Sequence, residues 1–304
     1  MIRLPPYASL SEHILHKLYL LCCALIFLFL ILPILIIIPL SFNVEPYFSF
    51  TEGMMKLDPE AFSLRWYKDI FTNGMANPDA SSWGAWFADS WNNAQWIRAA
   101  RNSFAIAIIS TIIATALGTL AALGLSQPNM PFRSLITSIL ISPMIVPLVI
   151  TATGMFFFYS EIGLAQTFWG VVLAHVTLGV PFVIITVTAT LVGFDRSLIR
   201  ASQNLGASGW TTFRKIIMPL IAPGMISGAL FAFITSLDEI VAVLFIAGVE
   251  QRTIPRQMWS GIREQISPTI LAVATILVIL SIMLLTVAEL LRRRGERLRG
   301  ITPA

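Results

Sequence analysis

Charge is scarce in this sequence: 12% of its 304 residues are Asp, Glu, Lys or Arg, about half of what a soluble domain carries. Cysteine is scarcer still. Cys22 and Cys23 are adjacent within an apolar run, which excludes a disulfide framework and offers no metal-ligand spacing. There are three histidines, His13, His16 and His175. No G-x-x-x-x-G-K-[ST] occurs, so the chain holds no phosphate-binding loop of its own, and no H-E-x-x-H occurs. No nucleophile–base set can be assembled, which leaves an intramembrane enzyme or an assembly scaffold without supporting residues. No internal hydropathy repeat of the secondary-transporter kind stands out.

What the chain does have is apolar length: 56% of its residues are hydrophobic. A helix crosses a bilayer with about 20 mostly apolar residues. Six runs qualify: Leu18–Leu40, Ala99–Leu125, Ser134–Tyr159, Gln166–Leu191, Ile216–Ile246 and Ser267–Leu291. The first is too long for a signal-peptide core and no A-x-A follows it, so it is expected to remain as an anchor. Pro33 and Pro39 are expected to kink or end it. The sequence therefore predicts an all-α membrane protein with six transmembrane helices. Its organisation is an N-terminal segment 1–17, a span-bearing domain 18–291 and a basic tail 292–304.

Six spans place both termini on one side. Lys and Arg favour the cytoplasmic side, and the cluster Arg292–Arg294 abuts the last span, followed by Arg297 and Arg299. With Arg3, Lys17, Arg133, Arg196, Arg200, Arg214 and Lys215 on the same side, both termini are expected to be cytoplasmic. The net charge of +4 is then a topology signal and not a nucleic-acid footprint. Two non-membrane segments are long. The outer loop 41–98 contains Phe62–Phe71, a candidate amphipathic surface helix, and a Trp-rich stretch in which Trp91 and Trp96 are expected to mark the interface. The inner stretch 192–215 far exceeds the 2–8 residues usual between bundled helices.

That inner stretch reads Arg200-Ala-Ser-Gln-Asn-Leu-Gly-Ala207, then Phe213, then Pro219, Pro223 and Gly224. Ser197–Leu205 is helix-capable, Gly206 permits a turn with positive φ, and Ser208–Lys215 forms a second short run. The pattern resembles the E-A-A-x-x-L-G-A loop of ABC-importer permeases. Ala201 and Ser202 occupy the small positions, Leu205, Gly206, Ala207 and Phe213 match, and Arg200 stands where the family usually has Glu. Similarity extends over roughly Ala61–Leu291. Phe62–Phe71, Asn102-Ser103, His175 with Pro181-Phe182, Ser236–Glu239, Thr253–Pro255 and Met258-Trp259 resemble the spermidine/putrescine-type subgroup. The resemblance implies the type I importer permease fold in a bacterial inner membrane. It further implies an ATPase-coupling loop, two ATP-binding-cassette ATPase subunits that bind the ATP, a second homologous permease, with a heterodimer preferred over a homodimer, a periplasmic solute-binding protein, and no cofactor on this chain.

Inside the spans, Asp238 and Glu239 stand out, because an acid at mid-membrane costs about 2.5–3.5 kcal/mol and so faces an interior. On a helical wheel Thr235, Asp238 and Glu239 share an arc that Ser236 extends. Such a stripe could line a path for a cationic amine. The alternative is a structural pair, preferred for Glu239 and equally weighted for Asp238. Tyr159 and Glu161 are further pathway candidates. His175 is expected to hydrogen-bond between helices. An ion-coupled secondary transporter using Asp238 is the competing function.

Overall fold

The computed structural model describes residues 9–46, 48–195, 197–264 and 267–298. Arg3, Arg196, Arg299 and residues 300–304 lie outside them, as do the side chains of Arg292, Arg293, Arg294 and Arg297. In chain order the helices begin with α1 (Leu10–Leu40), α2 (Glu52–Met55), α3 (Arg65–Thr72), α4 (Trp83–Asn93) and α5 (Gln95–Leu125). There follow α6 (Arg133–Ile145), α7 (Leu148–Glu161), α8 (Phe168–Val192), α9 (Ser197–Asn204) and α10 (Gly209–Thr212). The last are α11 (Met218–Asp238), α12 (Val241–Ile246), α13 (Ile254–Glu264) and α14 (Thr269–Leu298). Among the described residues the β pairing is a single isolated bridge, Asn43 with Phe62.

Five helical stretches are long and apolar enough to cross a membrane: α1, α5, α8, Gly209–Asp238 and the Thr269–Val287 part of α14. The pair α6 and α7 makes a sixth if it crosses as one, but it bends by 103°. The continuous third span expected from hydropathy is therefore broken. Val146, the residue before Pro147, is extended (φ −70°, ψ 135°), the conformation that a following proline ring favours. Pro33, by contrast, does not end α1, which runs through it to Leu40.

Two compact units divide the chain. The smaller holds α1, the segment after it as far as Ile70, and the N-terminal part of α14. A capping box at Ser9 and Glu12 starts α1, well ahead of its apolar run. Apolar side chains point outward all around this helix, and only Leu40 is buried, the pattern of a helix surrounded by lipid or by other spans. Beyond it, Asn43 organises the loop. Its carbonyl accepts from Trp66 Nε1 at 2.7 Å and its Oδ1 from the Glu45 amide at 3.0 Å. The predicted helix at Phe62–Phe71 starts only at Arg65, because Phe62 is spent on the bridge to Asn43. One of its faces is packed, with Trp66 and Ile70 buried.

The larger unit has a three-helix seam, α5, α8 and α11, as its centre. Small residues recur every fourth position: Ser110, Ala114, Gly118 and Ala122 on α5, and Gly224, Gly228, Ala232 and Ser236 on α11. All eight are buried. Between them α8 presents His175, Gly179, Val183 and Val187, also buried. Adding a Cβ to Gly118 would bring it to 2.6 Å from Val183 Cβ, and one on Gly228 to 2.8 Å from Val183 Cα. Gly179 lies against Ala114 and Ala232, and Gly224 against Thr190 and Thr186. The partners ascend together on α5 and α8 and oppositely on α11, so α5 and α8 run parallel and α11 antiparallel. Close approach of this kind is how membrane helices gain dispersion energy where lipid removes the hydrophobic drive between them. Trp96, expected at the lipid interface, lies on the buried stripe of α5 instead and is 5% exposed.

Candidate functional site

The inner stretch folds as two short helices around one glycine. Asp195 caps α9: its Oδ1 accepts from the Ser197 amide at 2.8 Å and its Oδ2 from the Ser197 hydroxyl at 2.6 Å. Those bonds favour the ionised form and hold the carboxyl below its usual range, with Arg200 adding a smaller pull in the same direction. Gly206 ends α9 in the left-handed region, φ +78°. Around it the Leu205 amide donates to Ala201 O at 3.1 Å, the Gly206 amide to Gln203 O at 2.9 Å and the Ala207 amide to Ser202 O at 3.0 Å, which satisfies the last carbonyls of the helix. Ser208 then caps α10. A five-residue π turn, Phe213–Ile217, feeds the chain into α11.

Two side chains hold α9 against α10: Ser202 Oγ and Thr212 Oγ1 are 2.9 Å apart and buried. The serine standing in the second small position of the motif is thus a lock and not a neutral replacement. Thr212 is ten residues away and belongs to no motif, which is why sequence reading missed it. Arg200, Ala201 and Gly206 are exposed. Leu205 is 88% exposed and Trp210, whose ring lies 5.6 Å from that of Phe213, is 69% exposed. The hairpin thus presents an exposed apolar tip on a hydrogen-bonded frame.

The acids of the fifth apolar run are arranged differently from the helical wheel. α11 ends at Asp238, and Glu239 is extended (φ −72°, ψ 120°), so the wheel cannot be continued through it to Val241. Glu239 is buried and its Oε1 accepts from the Ala242 amide at 2.8 Å, capping the start of α12. Ser236 turns into the seam, where His175 Nδ1 lies 2.6 Å and Ser110 Oγ 3.3 Å from its hydroxyl. That is the interhelical bond expected of His175. The small residues spaced by four were the legible signal for this seam. Thr235 is half-buried, and Asp238 is exposed with no hydrogen bond or ion pair among the described residues. It sits at the negative end of the α11 dipole, where a carboxylate is unfavourable without a cation. Tyr159 is buried in the core while Glu161, the last residue of α7, is exposed.

At the N-terminal end of α5 a polar cluster ties it to α13 and to the segment before α13. Arg98 pairs with Glu250. Asn102 Nδ2 donates to Glu250 O at 2.7 Å, Gln257 Nε2 to Gln95 Oε1 at 3.0 Å, and the Ile254 amide to Ser103 Oγ at 2.8 Å.

Comparison with known proteins places this geometry. Residues 114–297 match the family "Binding-protein-dependent transport system inner membrane component". The chain is 31% identical to the spermidine/putrescine transport system permease protein PotC of Haemophilus influenzae, covering 89% of this chain and 95% of that one. It is 29% identical to the putrescine transport system permease protein PotI of Escherichia coli, covering 83% and 82%. Among solved structures it superposes on a bacterial ABC transporter that imports the acidic polysaccharide alginate, with a TM-score of 0.68 at 15% identity over 94% of this chain and 99% of that one. It also superposes on the MetNI methionine ABC transporter, with a TM-score of 0.52 at 19% identity over 66% and 95%. The fold is that of an ABC-importer permease, and the chain belongs to the family of binding-protein-dependent transport system inner membrane components.

Proposed function

We propose that this permease moves a small amine-bearing solute, a polyamine or a near relative, inward across a bacterial inner membrane by alternating access. Two ATP-binding-cassette subunits would bind and hydrolyse the ATP, a second homologous permease would complete the pore as a heterodimer, and a periplasmic binding protein would deliver the solute. The observation that carries the reading is the α9–Gly206–α10 hairpin with Leu205 and Trp210 at its tip. It is rigidly framed, exposed, and fused through the π turn to α11, so force applied at the tip reaches the seam. Arg200, Ala201, Ser202, Leu205, Gly206, Ala207 and Phe213 are assigned to this coupling surface, and both termini to its side of the membrane. Arg200 offers a cation where the family pattern has an acid, which suits an acidic group on the ATPase.

For the solute we assign Asp238, with Thr235 beside it, as the cation-attracting part of the pathway, because its carboxylate is exposed and has no hydrogen bond or ion pair among the described residues. Glu161 is the next candidate. Glu239, Ser236 and Tyr159 are given structural roles by their burial. The test is uptake of radiolabelled spermidine into vesicles carrying this chain together with candidate ATPase, second-permease and binding-protein subunits from the same organism. Leu205→Asp is expected to abolish ATP-dependent uptake and co-purification of the ATPase while leaving the thermal unfolding temperature unchanged. Asp238→Asn in the same vesicles is expected to raise the half-saturating concentration. Uptake by this chain alone, driven by an ion gradient, would instead establish the secondary-transporter reading.

A further inference from the structure

Just before α5 lies a helix that the transport reading does not use. α4 has 11 residues, about 16 Å of length, too short to cross a hydrocarbon core of about 30 Å. Its side chains fall into three sectors. One is packed: Ser90 Oγ donates to Phe71 O at 2.8 Å, and Asp89 accepts from the Ala76 and Asn77 amides at 3.2 and 2.7 Å and from Asn93 Nδ2 at 2.5 Å. A second carries only Ala85, Ala88 and Asn92. The third is an aromatic stripe at every fourth residue, with Trp83 86%, Phe87 62% and Trp91 46% exposed.

The height of this stripe is fixed by Arg101. Its guanidinium lies 5.3 Å from the Trp91 ring centroid, and its Nη1 donates to Trp91 O at 3.2 Å. Arg101 is also the last charged residue before an uncharged stretch, Asn102–Leu125, that spans about 36 Å as helix. Arg101 thus marks the near end of the apolar stretch of α5, and Trp91 is held beside it. The turn at Ala94 (φ −60°, ψ 120°) separates α4 from α5, so α4 does not simply prolong it.

We propose that α4 is an interfacial helix. Trp83, Phe87 and Trp91 seat in the headgroup–acyl boundary of the leaflet at the N-terminal end of α5, the face opposite the α9–α10 hairpin, and Arg101 meets a lipid phosphate beside Trp91. Rings with an apolar body and a polar edge prefer this boundary. The packed sector keeps the helix lying along the protein–lipid junction, and the small, polar sector faces water. The stripe would then act as a float that fixes the depth of α5 and of the polar cluster at Arg98 and Glu250.

The experiment uses the full chain with Cys22→Ala and Cys23→Ala, reconstituted in phosphatidylethanolamine/phosphatidylglycerol vesicles. Single cysteines are introduced as Phe87→Cys, Trp91→Cys or Ala88→Cys and labelled with an environment-sensitive fluorophore. Brominated acyl chains are expected to quench the labels at 87 and 91 several-fold more than the label at 88, and aqueous iodide to show the reverse order. Equal iodide quenching at all three positions would overturn the proposal. So would protection of 87 and 91 that appears only when a water-soluble solute-binding protein is added, since the stripe would then be a protein-docking face.

Discussion

The α5–α8–α11 seam and the α9–α10 hairpin solve opposite problems with similar small residues. In the seam, smallness lets three helices approach until a single added methyl would collide with a neighbour. In the hairpin, Ala201, Gly206 and Ala207 touch little, and order comes from local hydrogen bonds and the Ser202–Thr212 pair. One region is held by shape and the other by capping. Damage to the seam should therefore appear as lost stability, and damage to the hairpin as lost coupling in a folded protein.

The largest expected effect tests the seam directly. Gly228→Ala places a methyl 2.5 Å from Thr186 Oγ1 and 2.8 Å from Val183 Cα, and a backbone atom in a helix cannot step aside. Overpacking of this kind costs about 1–3 kcal/mol. Gly124→Ala, on the same face-to-face helix system but with nothing within 4 Å of the new Cβ, should be neutral or gain up to about 1 kcal/mol from helix propensity. Thermal unfolding in detergent should show a clear drop for the first and none for the second. Equal behaviour would mean that the seam is not close-packed.

Their difference also explains what could be read in the sequence. The hairpin was legible because its determinants are local: a helix-capable run, a glycine past its end, a serine cap and a second run, all within about 20 residues. Spans were legible as apolar length, but the 103° bend between α6 and α7 was not, because the apolar run continues through the extended residue Val146 before Pro147. The seam was hidden because its register depends on which helices meet, although the four-residue spacing of Ser110–Ala122 and Gly224–Ser236 was in plain view. For Glu239 the wheel failed because hydropathy continues through a break that the backbone does not. Trp96 departs from expectation for a different reason: proximity to a span end says nothing of which face of α5 the ring occupies.

An intermediate effect compares one hydroxyl in each region. Ser236→Ala removes the hydroxyl that meets His175 Nδ1, and His175 Nε2 already has no partner among the described residues. A buried imidazole without hydrogen bonds should cost about 1–3 kcal/mol. Ser202→Ala removes the Thr212 partner, but a helical threonine can turn its hydroxyl to a carbonyl one turn back, so the loss should be nearer 0.5 kcal/mol, the low end of a net hydrogen bond. Unfolding temperatures of the two variants should separate in that order. Coupling should follow the reverse order: Ser202→Ala, by loosening α9 against α10, lowers uptake per ATP hydrolysed while Ser236→Ala does not.

The smallest effect is confined to the start of α9 and depends on pH. The Asp195 carboxyl is held below its ordinary value by its two bonds from Ser197. A group whose pKa is depressed on folding contributes stability above its unfolded value, and loses it as pH falls through the lower, folded one. The cap is therefore intact at neutral pH and in mild acid, and opens only when the pH drops beneath the usual carboxylate value of 3.8. Hydrogen exchange resolved to the Ser197–Asn204 peptide, corrected for intrinsic rates, should stay flat down to that point and rise below it. Asp195→Asn should lower the protection of the same peptide at neutral pH and flatten its response to acid, while peptides from α8 and α11 in the seam remain unchanged. If the seam peptides loosened together with α9, the hairpin would not be an independently capped element, and the division between a region held by shape and a region held by capping would fail.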